Sequence, residues 1–182
     1  MTEPVPFEVD DAIVLLLGAP SKFPSLQDTI TGITRLEKLV FLLDRDTLLG
    51  SRMTEKPEFI PHNFGPFSQR VYQAIESLSS AGLVLDSASV AATEEDSWES
   101  DEIIGDSLDT RFTTRDVTLT ERGRKYYEAL IKELPSDTVD IVSGIKNQFA
   151  ALPLRQLIRY VYTKHPDQTT RSLIRGQVLG RG

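Results

Sequence analysis

The fold is decided by three stretches of sequence: Thr34-Arg-Leu-Glu-Lys-Leu-Val-Phe-Leu-Leu43, Phe64-Gly-Pro-Phe-Ser68 and Val117-Thr-Leu-Thr-Glu-Arg-Gly123. In the first, apolar residues recur at intervals of three and four, which predicts an amphipathic helix. Its Thr34 and Glu37 have the spacing of a capping box. The second stretch predicts a turn that opens another helix, and the third predicts a strand that leads directly into a helix.

The helix after the Gly-Pro turn has a predicted start and a predicted end. Ser68 is the expected N-cap, and Gly82 is suited to the left-handed conformation that closes many helices. Three apolar residues at helical spacing form the predicted buried stripe, namely Val71, Ile75 and Leu78. The polar face of this helix begins with Gln69, Arg70 and Gln73.

Shorter elements surround these stretches. Asp10 to Leu17 is predicted to be a first helix, and Ser21 to Ile30 a polar connector. Pro57 to His62 is predicted to be a short strand, and residues 83–90 and 111–118 to be the two strands of a long hairpin. The order of elements predicts an α+β, mainly α, winged helix-turn-helix with a long β-hairpin wing and a C-terminal helical extension.

The extension consists of helices separated by proline. Thr120 is the expected cap of a helix that reaches Leu134, and Ser136 of a helix that reaches about Ala151. A third apolar stripe runs from Leu154 to Tyr162. We therefore predict a winged-helix domain at 1–134 with an acidic wing tip at 91–110, a helical pair packed on it at 135–166, and a basic tail at 167–182. The extension is also the predicted interface of a homodimer.

Charge is divided unevenly along the chain. Residues 1–110 contain 7 Lys and Arg against 20 Asp and Glu, whereas residues 111–182 contain 13 against 7. Such asymmetry indicates a charged partner. The chain has no cysteine, and its longest apolar run, near Ala12 to Ala19, is far shorter than the roughly 18 residues of a membrane span. We expect a cytoplasmic protein with no membrane partner.

Three segments resemble a known family. Gly32-Ile-Thr-Arg-Leu-Glu-Lys-Leu-Val-Phe-Leu-Leu43, Asn63-Phe-Gly-Pro-Phe-Ser68 and Leu157-Ile-Arg-Tyr-Val-Tyr162, the last followed by His165-Pro166, are similar to YwgA-like uncharacterised prokaryotic proteins. More distantly they resemble the Panacea domain of SocA-like antitoxins, with Phe64 where tyrosine is usual. The resemblance to the YwgA-like proteins implies a winged fold and does not indicate a function. The second implies protein neutralisation or adaptor behaviour. The segment from Val117 to Gly123 is similar to the strand-to-helix junction of winged-helix transcription regulators.

A DNA-binding transcription regulator is the first functional hypothesis, with double-stranded DNA as the partner. Glutamine pairs with adenine and arginine with guanine in the major groove, so the start of the Ser68 helix has suitable chemistry. Basic residues near the wing are the expected phosphate contacts. The predicted nucleic-acid-binding residues are Ser68, Gln69, Arg70, Gln73, Arg111, Arg115, Arg122, Arg124 and Lys125.

An antitoxin or adaptor that binds a basic protein, such as a toxin, is the alternative. Residues 94–109 contain eight acids and no base, a pattern that attracts a cationic partner. The predicted partner-binding residues are Glu94, Glu95, Asp96, Trp98, Asp101 and Glu102. We predict no enzyme activity, cofactor or metal site. Glu37, Asp44 and Asp46 could be imagined as a nuclease cluster, but acids near a helix end are ordinarily solvated.

Overall fold

The structure, a computed structural model, describes residues 5–62, 65–90, 113–169 and 179. Its α helices are α1 (Val9–Gly18), α2 (Ile33–Asp46), α3 (Leu49–Arg52), α4 (Gln69–Ser80), α5 (Glu121–Glu133), α6 (Thr138–Phe149) and α7 (Leu154–Lys164). Its strands are β1 (Thr29–Ile30), β2 (Ile60–His62), β3 (Gly65–Phe67), β4 (Val84–Val90) and β5 (Thr113–Leu119). Short 3₁₀ helices lie at Pro24–Leu26 and Pro166–Thr169. The fold is α+β and mainly helical, as predicted.

The strands form two small antiparallel sheets. In the larger sheet, β5 lies between β1 and β4. β4 and β5 pair along their full length, from Val84 opposite Leu119 to Val90 opposite Thr113, so the predicted antiparallel pairing of these two segments is confirmed. β2 and β3 form a second, separate hairpin. The predicted acidic tip at 91–110 lies outside the described residues.

Helix α1 lies at the centre of the core. It is closely similar to the predicted Asp10–Leu17 helix, and residues 12–18 are all buried. It contacts α2, α4, α5 and α6. The polar connector predicted at Ser21–Ile30 is wrong in its last two residues, because Thr29 and Ile30 form β1 and pair with Thr118 and Val117 of β5.

The start of α2 differs from the prediction. Its N-cap is Gly32, at φ 88°, and Thr34 and Glu37 are 1% and 0% exposed. The predicted capping box is therefore wrong. A capping box requires its acid to fold back onto the helix end, whereas Glu37 points into the protein and binds Lys38 and the turn before α4.

The extension packs against the rest of the chain. α6 contacts α1 and α2, and α7 contacts α2 and β3. The N-cap of α6 is Asp137 rather than the predicted Ser136, and the Asp137 carboxylate accepts two hydrogen bonds of 2.9 Å from Arg52. Leu157, Ile158 and Val161 of α7 are completely buried. This apolar stripe therefore contributes to the core of its own chain.

Lys146 joins α6 to the end of α1. Its side chain is fully buried, and Nζ donates hydrogen bonds to the carbonyl oxygens of Leu17 at 2.7 Å and Ala19 at 3.0 Å. Burial lowers the pKa of the Lys146 ammonium to about 8, although the Asp28 carboxylate partly opposes this effect. The two carbonyl oxygens would otherwise be acceptors without a donor at a helix end.

We expect the stability of the wild-type protein to rise relative to Lys146→Met as the pH increases from about 8 to 10. In this range the unfolded chain still binds the Lys146 proton and the folded chain has released it, so the free energy of unfolding rises with pH. The gain approaches about 1.4 kcal/mol per pH unit. Urea unfolding at several pH values measures the difference. Both proteins contain the same tyrosines, so their titration cancels. Parallel curves up to pH 9.5 would contradict the assignment.

Gly123 allows α5 to approach the end of α4. A Cβ at this position would overlap the carbonyl oxygen of Leu83, which accepts a 3.0 Å hydrogen bond from the Thr120 amide. We expect Gly123→Ala to lower the free energy of unfolding by about 1–3 kcal/mol, as overpacking does. Gly144→Ala is the matched control. Gly144 is exposed in α6 with open space around it, so this change should stabilise by about 0.5–1 kcal/mol. Equal effects in urea unfolding would rule out this interpretation.

Candidate nucleic-acid interface

A buried ion pair supports the turn that begins α4. Lys38 Nζ lies 2.9 Å from Glu37 Oε1 and donates a 2.8 Å hydrogen bond to the carbonyl oxygen of Pro66. The other oxygen of Glu37 accepts a 3.3 Å hydrogen bond from the Ser68 amide. Both charged side chains are 1% exposed. Because each charge has hydrogen-bonding partners as well as the opposite charge, the pair is tolerated in the core.

Ser68 continues this network. Its hydroxyl accepts a 3.3 Å hydrogen bond from the Val71 amide and donates a 2.5 Å bond to the carbonyl oxygen of Pro57. The predicted N-cap is confirmed, as is the left-handed Gly82 that follows the helix at φ 75°. Ser68 is 0% exposed. The capping bonds keep the hydroxyl inside the protein, so the predicted role of Ser68 in nucleic-acid binding has no support from an exposed side chain.

The remaining α4 residues separate into two faces. Val71, Ala74, Ile75 and Leu78 are buried. Gln69 and Gln73 are exposed, one turn apart. The amides of these two residues can therefore reach a ligand without any rearrangement of the core.

Arg70 is held by the loop that precedes β2. Its guanidinium donates a 2.9 Å hydrogen bond to the carbonyl oxygen of Lys56 and lies 3.0 Å from the Glu55 carboxylate and 3.2 Å from that of Glu58. The Arg70 side chain is 35% exposed, so solvent and ligands still reach it.

A cleft of about 260 Å³ lies beside these residues. Its walls include Gln69, Arg70 and Gln73 on one side and Glu58, Ile60 and Phe67 on the other. Ile60 is 51% exposed, and the Phe67 ring lies 4.9 Å from His62 and 5.3 Å from Tyr72. The sequence analysis predicted a strand over Pro57 to His62 but missed its partner β3, because residues 65–67 were expected to form a turn alone. Burial alternates from Pro57 to Ile60, but this alternation indicates only the first strand and gives no signal for β3.

Some of the basic residues predicted to contact phosphate are bound to other groups of the protein, and others are exposed. Arg115 binds Asp86, with Nε 3.1 Å from each carboxylate oxygen. Arg124 donates to the carbonyl oxygen of Gly18 at 2.9 Å and lies 3.1 Å from Asp28. Both therefore have structural partners. Arg122 and Lys125 are exposed on α5, and Lys125 lies 3.7 Å from Glu121. Arg111 lies outside the described residues.

The structure does not describe the predicted acidic surface, and it separates the three acids of the hypothetical nuclease cluster. All six predicted partner-binding residues, Glu94, Glu95, Asp96, Trp98, Asp101 and Glu102, lie outside the described residues. Glu37, Asp44 and Asp46 do not form one cluster, since Glu37 binds Lys38, Asp44 binds Lys56 and Asp46 binds His165. Within the described ranges, no group of three or more His, Cys, Asp and Glu residues is arranged to hold a metal ion.

Comparisons of the chain with protein-family models, with curated proteins and with solved structures found no significant match. The resemblance to the YwgA-like proteins and to the Panacea domain therefore stays a prediction. Among the helices described here, none has both the length and the apolar character needed to cross a membrane.

We expect Lys38→Met to lower the free energy of unfolding by about 3–5 kcal/mol, because it leaves the Glu37 carboxylate buried without a cation. The double variant Glu37→Gln/Lys38→Met should recover part of this loss, since it buries no charge. Urea unfolding of both variants and of each single substitution completes a double-mutant cycle. A loss below about 1 kcal/mol for Lys38→Met would show that the pair does not support the turn.

Proposed function

We propose that this chain is a winged helix-turn-helix regulator that binds double-stranded DNA through α4. The order α1, β1, α2, α4, β4, β5 supports this proposal, as does the position of β5 between the other two strands. α3 and the β2–β3 hairpin are additions between α2 and α4, where a helix-turn-helix ordinarily has a short turn. The β4–β5 hairpin takes the role of the wing.

The exposed first turns of α4 carry the proposal. Recognition helices place their N-terminal residues against base edges, and Gln69 and Gln73 are exposed at this end of α4. The buried Glu37–Lys38 pair fixes the turn that precedes them. A preordered helix start loses little conformational entropy when it enters a groove.

Phosphate contacts in this proposal come from Arg122 and Lys125 of α5. Arg115 and Arg124 act as supports for the hairpin and for α1, since their guanidinium groups bind Asp86 and Asp28. Regulation then follows from occupancy, because a bound protein blocks or recruits the transcription machinery at its site. The net charge of −7 limits non-specific affinity, so specific contacts must supply more of the binding energy.

A protein-binding adaptor is the second candidate function. It is favoured by Ile60, which is 51% exposed beside the α4 cleft. An exposed apolar residue at a concave surface is a common anchor of protein interfaces.

We expect the wild-type protein to bind a random-sequence duplex at 50 mM salt and to lose affinity steeply towards 200 mM. Arg122→Gln/Lys125→Gln should reduce the slope of log K against log salt by about two, as expected for two lost phosphate contacts. Fluorescence anisotropy titrations measure both quantities.

The matched control is Lys132→Gln/Arg159→Gln, which removes the same charge from exposed positions on α5 and α7. The control should retain most of the wild-type slope. Absence of binding by the wild-type protein at low salt would overturn the DNA proposal and favour a protein partner.

A further inference from the structure

We propose that Glu55 and Glu58 are positioning residues that direct Arg70 towards base edges and away from phosphates. This inference rests on the proposed function and deepens it, since it assigns a specificity role to two acids that the sequence analysis did not single out. Its basis is the contact of the Arg70 guanidinium with both carboxylates, at 3.0 and 3.2 Å.

The loop that carries the two acids is anchored on both sides. Before Glu55, Thr54 donates a 3.0 Å hydrogen bond from its amide to the carbonyl oxygen of Phe7. Between the acids, Lys56 Nζ lies 3.0 Å from the Asp44 carboxylate. After Glu58, the Phe59 ring packs edge-on against Phe41 with centroids 5.1 Å apart. The carboxylates are therefore presented by a fixed backbone.

Two further observations connect this loop to α4. The Ser68 hydroxyl, which caps α4, donates to the carbonyl oxygen of Pro57, so the loop and the helix start share a hydrogen bond. Glu58 has φ 55°, in the left-handed region that non-glycine residues rarely adopt. An unfavourable backbone conformation of this kind persists only where the surrounding contacts determine it. The carboxylate of Glu58 makes one such contact, with Arg70.

The charges explain the proposed selectivity. One guanidinium between two carboxylates has a local net charge of −1, so a phosphate gains little attraction from Arg70. A guanine edge offers the neutral acceptors O6 and N7. The two carboxylates repel these neutral atoms less than they repel a charged phosphate. Since a guanidinium has five N–H donors, its contacts with Glu55, Lys56 and Glu58 leave donors for a base.

The two carboxylates that contact Arg70 are exposed to solvent. Glu55 and Glu58 are 47% and 66% exposed. Exposed ion pairs contribute little to stability, so the acids orient Arg70 without locking it. The same exposure means that Glu→Gln substitutions at both positions should leave the fold unchanged.

The test compares Glu55→Gln/Glu58→Gln with the wild-type protein on two probes, a random-sequence duplex and a duplex selected by the wild-type protein from a random library. We expect the variant to bind the random duplex at least fivefold more tightly at low salt and to steepen the salt slope by about one, because Arg70 becomes a phosphate contact. The ratio of selected to random affinity should fall about tenfold, the loss typical of one bidentate base contact.

The control variant Glu133→Gln/Asp140→Asn removes the same two negative charges from exposed sites on α5 and α6. It should retain the wild-type salt slope and affinity ratio. If the wild-type protein binds DNA and Glu55→Gln/Glu58→Gln behaves like the control, the inference is overturned and the proposed function survives. If the wild-type protein and both variants fail to bind the random-sequence duplex at low salt, no duplex can be selected, the proposed function fails, and the inference fails with it.

Discussion

The buried ion pair between Glu37 and Lys38 is the constraint on which the α4 surface depends. Adjacent residues of a helix project in different directions, yet here the ammonium and the carboxylate meet at 2.9 Å. Both side chains must therefore reach towards the same turn. Removing two charges from water carries a penalty of several kcal/mol per ion, and the Pro66 carbonyl and the Ser68 amide offset it. The result is a polar connection with a defined geometry inside the core.

The same turn is supported from its other side by the C-terminal extension. Gly65 has φ 91°, and a Cβ there would lie 2.5 Å from Cε1 of Tyr162, which is buried in α7. The turn thus lies between Lys38 of α2 and Tyr162 of α7. His165 strengthens the connection, since its Nε2 lies 2.9 Å from the Asp46 carboxylate at the end of α2. The extension therefore belongs to the supporting structure of the candidate interface.

Local patterns predicted the elements well, and tertiary contacts determined what the patterns did not show. Ser68 was identifiable as a cap because capping depends on residues within one turn of helix. Glu37 was also predicted to cap its helix, but its carboxylate pairs with the buried Lys38 ammonium instead. β1 escaped prediction because two residues, Thr29–Ile30, show no periodicity and exist as a strand only through β5. Arg115 was expected to meet phosphate, but it pairs with Asp86, a diagonal neighbour that becomes visible only when the strand register is known.

The unequal lengths of β1 and β5 determine which part of the larger sheet can change without affecting the core. Within the described residues, β1 pairs only with Val117 and Thr118, so the part of β5 before Val117 forms its backbone ladder with β4. Of these residues, Asp116 also contacts the body of the protein, since its carboxylate accepts a 3.2 Å hydrogen bond from the Gly32 amide. A two-stranded ribbon contributes little to the stability of a domain. We therefore expect insertions, deletions and changes of charge in the ribbon beyond Asp116 to have little effect on the stability of the core. The ribbon can therefore change in length and composition while the helical body stays the same.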